Sequence, residues 1–216
     1  MRGFTLLEVL IAMAILVVIG SAVYTSYISN VETIRAGRSK SEVHQRARII
    51  LDVMAKDLES AINVAPSAGS VQPLGMIGTN GSLDRSPADR IDFTTVTHLA
   101  FRMGEPKTDL CSVGYRVGKG EEGQFVLYRR DDGFPGQDIA GGGREEELSD
   151  MITGLDIIYV DSRGRASDEW DSFRKQTGDG LPTLIRITLI LRDPDAREHV
   201  FRSSVHPEFA RRWVEG

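Results

Sequence analysis

The stretch MRGFTLLEVLIAMAILVVIG, residues 1–20, determines how the rest of the chain is organised. From Phe4 to Ile28 the only ionisable side chains are Glu8 and two tyrosines. A helix needs about 20 apolar residues to cross a bilayer, and this run is long enough. Because Arg2 precedes the run, the positive-inside rule predicts that the N-terminus lies in the cytoplasm and the bulk of the chain lies on the other side of the membrane.

Glu8 is the unusual residue of this segment. A charged side chain in a transmembrane helix costs about 2.5–3.5 kcal/mol on insertion scales, and less near a helix end, where it can reach the interface. A cleaved secretory signal, with residues 19–23 as a poor cleavage site, or a plain signal anchor would explain the apolar run. Neither explanation accounts for the carboxylate.

Residues 3–9, GFTLLEV, resemble the processing site of type IV prepilins and of the pseudopilins of type II secretion. The resemblance implies that a prepilin peptidase cuts between Gly3 and Phe4 and methylates the new N-terminal Phe4. It also implies that Glu8 pairs in the membrane with the terminal amino group of a neighbouring subunit. Such a pair offsets the desolvation of both charges only in good geometry, so Glu8 would set the register of assembly. The leader of residues 1–3 is short for this family, and a start codon further upstream is one explanation.

A second helical pattern continues beyond the membrane segment. Proline is absent until Pro66, and Gly37 is the only glycine between positions 35 and 64. Apolar residues then recur at helical spacing, at Val43, Ala47, Ile50/Leu51, Met54, Leu58 and Ala61/Ile62. The pattern predicts one helix from Phe4 to about Val64, with the apolar stripe of its second part packed on a globular domain. A coiled-coil homodimer is the alternative, although the heptads are few.

From about Pro73 onward the pattern changes to short runs with a period of two, which is typical of strands. The predicted strands are residues 90–97, 112–117, 124–129, 155–160, 184–191 and 200–205. Short connections predict a mainly antiparallel sheet, and a long helix packed on it gives an α+β, pilin-like fold. The expected organisation is a leader (1–3), a transmembrane helix segment (4–28), an amphipathic periplasmic helix (29–65) and a globular β-rich domain (66–216).

No pattern in the chain predicts a catalytic, cofactor-binding or metal-binding residue. Cys111 is the only cysteine and is expected to be a half-buried apolar side chain. The four histidines are not at metal-ligand spacing, and residues 131–138 resemble a calcium loop in composition only, so a solvated turn is expected there. Glycines 141–143 do not form a phosphate loop. A net charge of −5 argues against a nucleic-acid partner.

The C-terminal third narrows the resemblance. Residues 153–164, TGLDIIYVDSRG, followed by Trp170 and by Leu181-Pro182, are similar to the minor pseudopilins of the J class in type II secretion, as are residues 46–59. The chain has Arg165-Ala166 where family members often carry a tryptophan, which leaves a minor pilin of a type IV pilus as an alternative.

The J-class resemblance implies a structural subunit and no enzyme. The subunit would sit at the tip of a periplasmic pseudopilus, help to initiate its assembly and so support protein export across the outer membrane. The implied partners are the prepilin peptidase, the I-like and K-like minor pseudopilins, the major pseudopilin and the inner membrane, crossed once, with the globular domain in the periplasm. The alternative from another class is a membrane-anchored periplasmic binding module that uses the sheet and the acidic loops.

Overall fold

The computed structural model describes residues 5–63, 74–96, 110–133, 138–174 and 180–211, without the side chains at positions 32, 33, 35, 36, 38, 39 and 211. The chain forms two compact units, one ending at Glu42 and one beginning at Val43. Within the described residues, one long helix is followed by thirteen strands and a short 3-10 helix, Glu208–Arg211. They are α1 (Leu6–Glu59), β1 (Ala61–Ile62), β2 (Met76–Thr79), β3 (Ser82–Leu83), β4 (Ser86–Pro87), β5 (Arg90–Thr95), β6 (Cys111–Lys119), β7 (Phe125–Asp132), β8 (Arg144–Ser149), β9 (Ile152–Val160), β10 (Ala166–Ser167), β11 (Trp170–Asp171), β12 (Leu184–Arg192) and β13 (Glu198–Val205).

Helix α1 confirms the predicted long helix but ends before the predicted boundary near Val64, which lies outside the described residues. The chain turns directly from Glu59 into β1, whose Ala61 lies opposite Thr95 of β5. The carbonyl oxygen of Ser60 accepts hydrogen bonds from the hydroxyl of Thr95 at 3.1 Å and from the backbone N–H of Val96 at 3.3 Å. These sheet bonds end the helix, although no proline or glycine marks the position.

The first unit contains an apolar stretch of 26 residues, Leu6–Val31, which by length and composition could span a membrane. Its large apolar side chains are exposed. The hydroxyls of Ser21 and Thr25 donate to the carbonyl oxygens of Val18 and Ser21 at 2.8 and 2.9 Å. Such bonds satisfy polar groups within the helix, as lipid requires.

The strands form two larger sheets, where the sequence predicted one. A seven-stranded sheet has the order β11-β2-β5-β6-β7-β8, with β1 also on β5, and a four-stranded sheet has the order β10-β9-β12-β13. The ladders between described strands are antiparallel, as predicted. Asp89 connects the two sheets: its N–H donates to the Leu155 carbonyl at 3.0 Å, and its carboxylate accepts from the N–H of Ile157 at 2.7 Å.

The core of the second unit lies between α1 and the sheets. The helix contributes the apolar stripe predicted from its spacing, with Val43, Ala47, Ile50, Met54 and Leu58 all buried. The strands contribute inward-facing side chains that include Phe93, Val113, Leu155, Ile187 and Leu189. Because the stripe is covered by the chain's own strands, it is not available for a coiled-coil homodimer.

One charged group is buried with this stripe. The carboxylate of Asp57, in the last turn of α1, accepts hydrogen bonds from the hydroxyl of Tyr115 at 2.5 Å and from Nε of Arg129 at 2.9 Å. The side chains of Asp57 and Arg129 are 1% and 6% exposed. Burial alone lowers the pKa of Arg129, but the hydrogen bond and charge of Asp57 outweigh it and raise that pKa above its usual value. The guanidinium therefore stays charged, and it compensates an acid that the negative end of the helix dipole disfavours.

We predict that Asp57→Ala destabilises the globular domain by about 3 kcal/mol, because it removes the buried counter-charge of Arg129 and the acceptor of the Tyr115 hydroxyl, and leaves the guanidinium only its pair with the partly exposed Asp131. The matched control is Asp52→Ala, which removes an exposed pair with Lys56 at 2.9 Å on the same helix. That control should cost less than about 1 kcal/mol. Urea unfolding of the detergent-solubilised chain, followed by tryptophan fluorescence, measures both values, and equal losses in the two variants would contradict the prediction.

Candidate processing and assembly site

The N-terminus of α1 is closed by reciprocal hydrogen bonds between Thr5 and Glu8. The backbone N–H and the hydroxyl of Thr5 each donate to Oε2 of Glu8 at 3.1 Å. The backbone N–H of Glu8 lies 3.3 Å from the hydroxyl oxygen of Thr5, which accepts it. With the helix beginning at Leu6, Thr5 is the N-cap and Glu8 the third helical residue, which is the arrangement of a capping box. The carboxylate also lies at the positive end of the helix dipole, where a negative charge is favoured.

The capping box gives Glu8 a role within its own chain that the sequence analysis did not identify. The signal was present, since Thr-x-x-Glu ahead of an apolar run is the sequence pattern of this cap. Among the described residues no hydrogen bond reaches the second carboxylate oxygen, Oε1, so the cap leaves it available to another cation. Gly3 and Phe4, the predicted cleavage site, lie outside the described residues.

Cys111 is fully buried at the start of β6, as a small apolar side chain but more deeply than the half-buried position expected from the sequence. Burial, with a smaller contribution from the negative charges of Asp131 and Asp57, raises the pKa of the thiol to about 12. Since the thiolate is the nucleophilic form, this environment suppresses the reactivity of Cys111.

We predict that Cys111 reacts with a thiol reagent at pH 8 only as fast as the domain unfolds, because the thiol is both buried and protonated. The comparison is a Ser162→Cys variant, which places a second thiol in the exposed turn between β9 and β10. The added thiol should react at once, and Cys111 only after denaturant is added. Rapid reaction of the native, unsubstituted chain would contradict the assignment.

The acidic segment of residues 131–138 begins within β7, and two of its carboxylates accept hydrogen bonds from their own chain. Asp131 accepts from Nη1 of Arg129 at 3.0 Å, and Asp138 caps its own turn by accepting from the N–H of Ala140 at 2.9 Å. Residues 134–137 of the predicted loop lie outside the described residues. Within the described ranges, no group of three or more histidine, cysteine, aspartate or glutamate residues is placed to hold a metal ion.

The glycine-rich segment that follows wraps around the guanidinium of Arg130. Nη1 of Arg130 donates to the carbonyl of Gly141 at 3.0 Å. Nη2 of Arg130 donates to the carboxylate of Asp92 at 3.0 Å, to the hydroxyl of Ser112 at 3.2 Å and to the carbonyl of Ile139. Backbone oxygens that could serve as ligands of a cation thus bind a side-chain cation instead. Gly142, at a φ of 70°, supplies left-handed backbone for this turn.

Two of the histidines, His44 and His199, pack against each other, with ring centroids 6.1 Å apart. His44 also packs edge-on against Phe201, with centroids 5.0 Å apart, and His199 contacts the carboxylate of Asp193 at 2.9 Å. His206 contacts the carbonyl of Thr183 at 2.8 Å, and His98 lies outside the described residues.

The aromatic side chains of Tyr159 and Trp170 are buried together, with ring centroids 6.2 Å apart.

Two family models match the chain. The family model described as Type II secretion system (T2SS), protein J, matches residues 22–203. The chain belongs to the protein J family of the type II secretion system. A second model, the Prokaryotic N-terminal methylation motif, matches residues 1–24, which contain the capped Glu8 and the start of the apolar helix. Two independent matches thus cover the segments on which the sequence resemblance depended.

One curated relative is a pilin-like protein. The "Pilin-like protein PilA3" of Thermus thermophilus is 31% identical over 176 residues, which cover 79% of this chain and 72% of that protein. Among solved structures, the GspK-GspI-GspJ complex of the enterotoxigenic Escherichia coli Type 2 Secretion System contains a similar chain, at 18% identity and a TM-score of 0.47. That match covers 75% of this chain and 96% of the other.

Proposed function

We propose that this protein J family member is a minor pseudopilin located at the tip of the periplasmic pseudopilus, where it helps to initiate assembly and so supports protein export across the outer membrane. The observation that carries the proposal is a single helix whose apolar first part begins with a capped carboxylate and whose second part belongs to the core of a β-rich domain. A subunit built in this way can be held in the membrane by one part of its helix and fold outside it through the other.

The proposal includes processing between Gly3 and Phe4 by a prepilin peptidase, with methylation of Phe4. Cleavage creates an amino group one residue before the N-cap Thr5. Oε1 of Glu8, which the cap does not use, is the atom that would accept a charged hydrogen bond from the terminal amino group of a neighbouring subunit. Two such charges in lipid stabilise each other only when both are in place, so a subunit in the wrong register would leave both unpaired.

The proposed partners are the I-like and K-like minor pseudopilins and the major pseudopilin, with the helix inserted once in the inner membrane. The N-terminus would lie in the cytoplasm and the globular domain in the periplasm, as the position of Arg2 predicts. We assign no enzymatic activity, cofactor or nucleic-acid partner to the chain. The buried, protonated Cys111 and the arginine-filled loop support a structural role over a binding module that captures cations.

The second candidate function is that of a minor pilin in a type IV pilus, favoured by the pilin-like relative from Thermus thermophilus. Both functions use the same processing site and the same helix. The phenotype of a gene deletion separates them, because the first predicts loss of secreted proteins and the second predicts loss of surface pili.

Substitutions at Glu8 and Thr5 separate the pairing role of Glu8 from its capping role. Glutamine preserves a capping box and removes the charge, so we predict that Glu8→Gln inserts in the membrane but fails to co-purify with the other pilin-like subunits. We expect the same of Glu8→Leu, which removes both the charge and the cap. Thr5→Ala removes the cap at a cost of about 1 kcal/mol but keeps the charge, and it should still assemble. The measurement is co-purification from detergent-solubilised membranes after confirming equal membrane insertion.

Normal assembly of Glu8→Gln would refute the pairing role, because that variant has no charge at position 8. If Thr5→Ala then failed to assemble, the effect would be assigned to the capped helix terminus instead.

A further inference from the structure

Strand β13 has one long edge that no strand among the described residues covers. It pairs with β12 over eight consecutive residues, from Glu198 to Val205, without a break in register. On its other side the four-stranded sheet ends. A strand in this position presents a row of backbone N–H and C=O groups that can pair with another chain.

The hairpin between β12 and β13 shows which residues face the open edge. The N–H of Asp193 donates to the carbonyl of Arg197 at 2.9 Å. In an antiparallel pair, the backbone N–H and C=O groups of every second residue point toward the partner strand. Arg197 points toward β12, so the odd-numbered residues of β13 do so as well. The N–H and C=O groups of Val200, Arg202 and Ser204 are therefore directed outward.

The other sheet edges in the described part of the chain are short or protected. Strands β10 and β11 have two residues each. Strand β8 is longer, but it carries Arg144 and three consecutive glutamates, and its register with β7 shifts between Leu127 and Tyr128. Charges and register irregularities of this kind discourage edge-to-edge pairing. Strand β13 has no proline or lysine, its ladder with β12 is regular, and Val200 is 50% exposed.

The charges beside this edge favour an acidic partner. Arg202 and Arg186 lie on neighbouring strands and, being exposed, share the sheet face that points away from the core. Within the described residues neither arginine is in an ion pair, whereas the acid of the same strand, Glu198, is bound to Arg192 at 2.9 Å. Two arginines outside any ion pair, on a chain with a net charge of −5, make this edge of the face locally positive. The acid on the same face, Asp156 of β9, lies one strand further from the edge, opposite Thr188.

Building on the proposed function, we propose that β13 accepts an extended segment of another pilus subunit as a fifth strand of its sheet, with an acidic side chain of that segment facing Arg202. Backbone bonds to the outward groups of Val200, Arg202 and Ser204 supply the affinity, and the side-chain pair supplies the register. A second copy of this chain fits less well. The longest antiparallel self-pairing of the outward residues, with Glu198 opposite Ser204, places Arg202 opposite Val200 and brings it no acid. The register that does place Glu198 opposite Arg202 overlaps only residues 198–202 and uses an acid that Arg192 already binds.

Amide hydrogen exchange tests the proposal directly. In the full-length chain alone, in detergent, the outward amides of residues 200, 202 and 204 should exchange quickly and those of 201 and 203 slowly. In the complex co-purified with the other pilin-like subunits, exchange at the outward amides should slow by at least about tenfold, while that of the inward amides changes little. The alternation along one strand distinguishes strand pairing from general covering of the surface.

Paired substitutions provide the second readout. Val200→Pro removes one outward N–H without touching the ladder to β12, and Val200→Ala keeps the N–H while shortening the side chain. The proline variant should lose at least about tenfold in binding to the other subunits and the alanine variant little. Arg202→Glu should weaken binding more than Arg163→Glu, which makes the same charge change in the turn after β9. Unchanged melting temperatures establish that each variant is folded.

The outcomes separate this proposal from the proposed function. A complex that forms while the amides of 200, 202 and 204 still exchange quickly overturns the strand pairing and leaves the minor pseudopilin function standing. Failure to form any complex with pilin-like subunits overturns both. If light scattering showed a homodimer in the absence of partners and the same amides were protected in it, the strand that pairs with β13 would come from a second copy of this chain. That result would overturn the proposed occupant.

Discussion

Desolvation of the Glu8 carboxylate is the constraint from which the rest of the account follows. The group lies at the start of an apolar stretch of 26 residues that by length and composition could span a membrane, where a negative charge would be poorly solvated. The Thr5 cap and the positive end of the helix dipole offset part of that cost. In the proposed assembly, a cation of a neighbouring subunit offsets the rest. Removal of the leader would create a cation of the right kind, an amino terminus, on every subunit.

A second carboxylate sits near the opposite end of the same helix, under the opposite electrostatic condition. Asp57 faces the negative end of the helix dipole and is buried, and it is compensated by Arg129 and Tyr115 from two neighbouring strands. An acid at the first end can remain partly unpaired until assembly, whereas the acid at the second end must be paired for the domain to fold. In the proposed function, the one helix thus carries a charge for joining other subunits, Glu8, and a charge that fixes its position in its own domain, Asp57.

The sequence predicted those features that depend on periodicity. The helix with its stripe, the hairpin of β6 and β7, and strands β5, β9, β12 and β13 were all readable from spacing. Strand β8 was not, since three consecutive glutamates lack an apolar face. The split into two sheets was not readable either, since it depends on pairings between strands far apart in sequence, such as β2 with β11. The partner of Asp57 was also beyond a local pattern, although an acid next to Leu58 in the apolar stripe hinted at burial. The capping box was readable from the spacing of Thr5 and Glu8, whereas the resemblance to prepilins explains only the charge of Glu8.

The most direct test of this account is the mass of the N-terminal peptide of the chain purified from its own membrane. If Glu8 is matched by a newly created amino group, the mature chain lacks the leader and begins at Phe4, with one added methyl group on its nitrogen. A peptide that still carries Met1, or a chain that begins after Ala22 as a cleaved secretory signal would leave it, would contradict the account, because no new amino group would then lie beside the carboxylate.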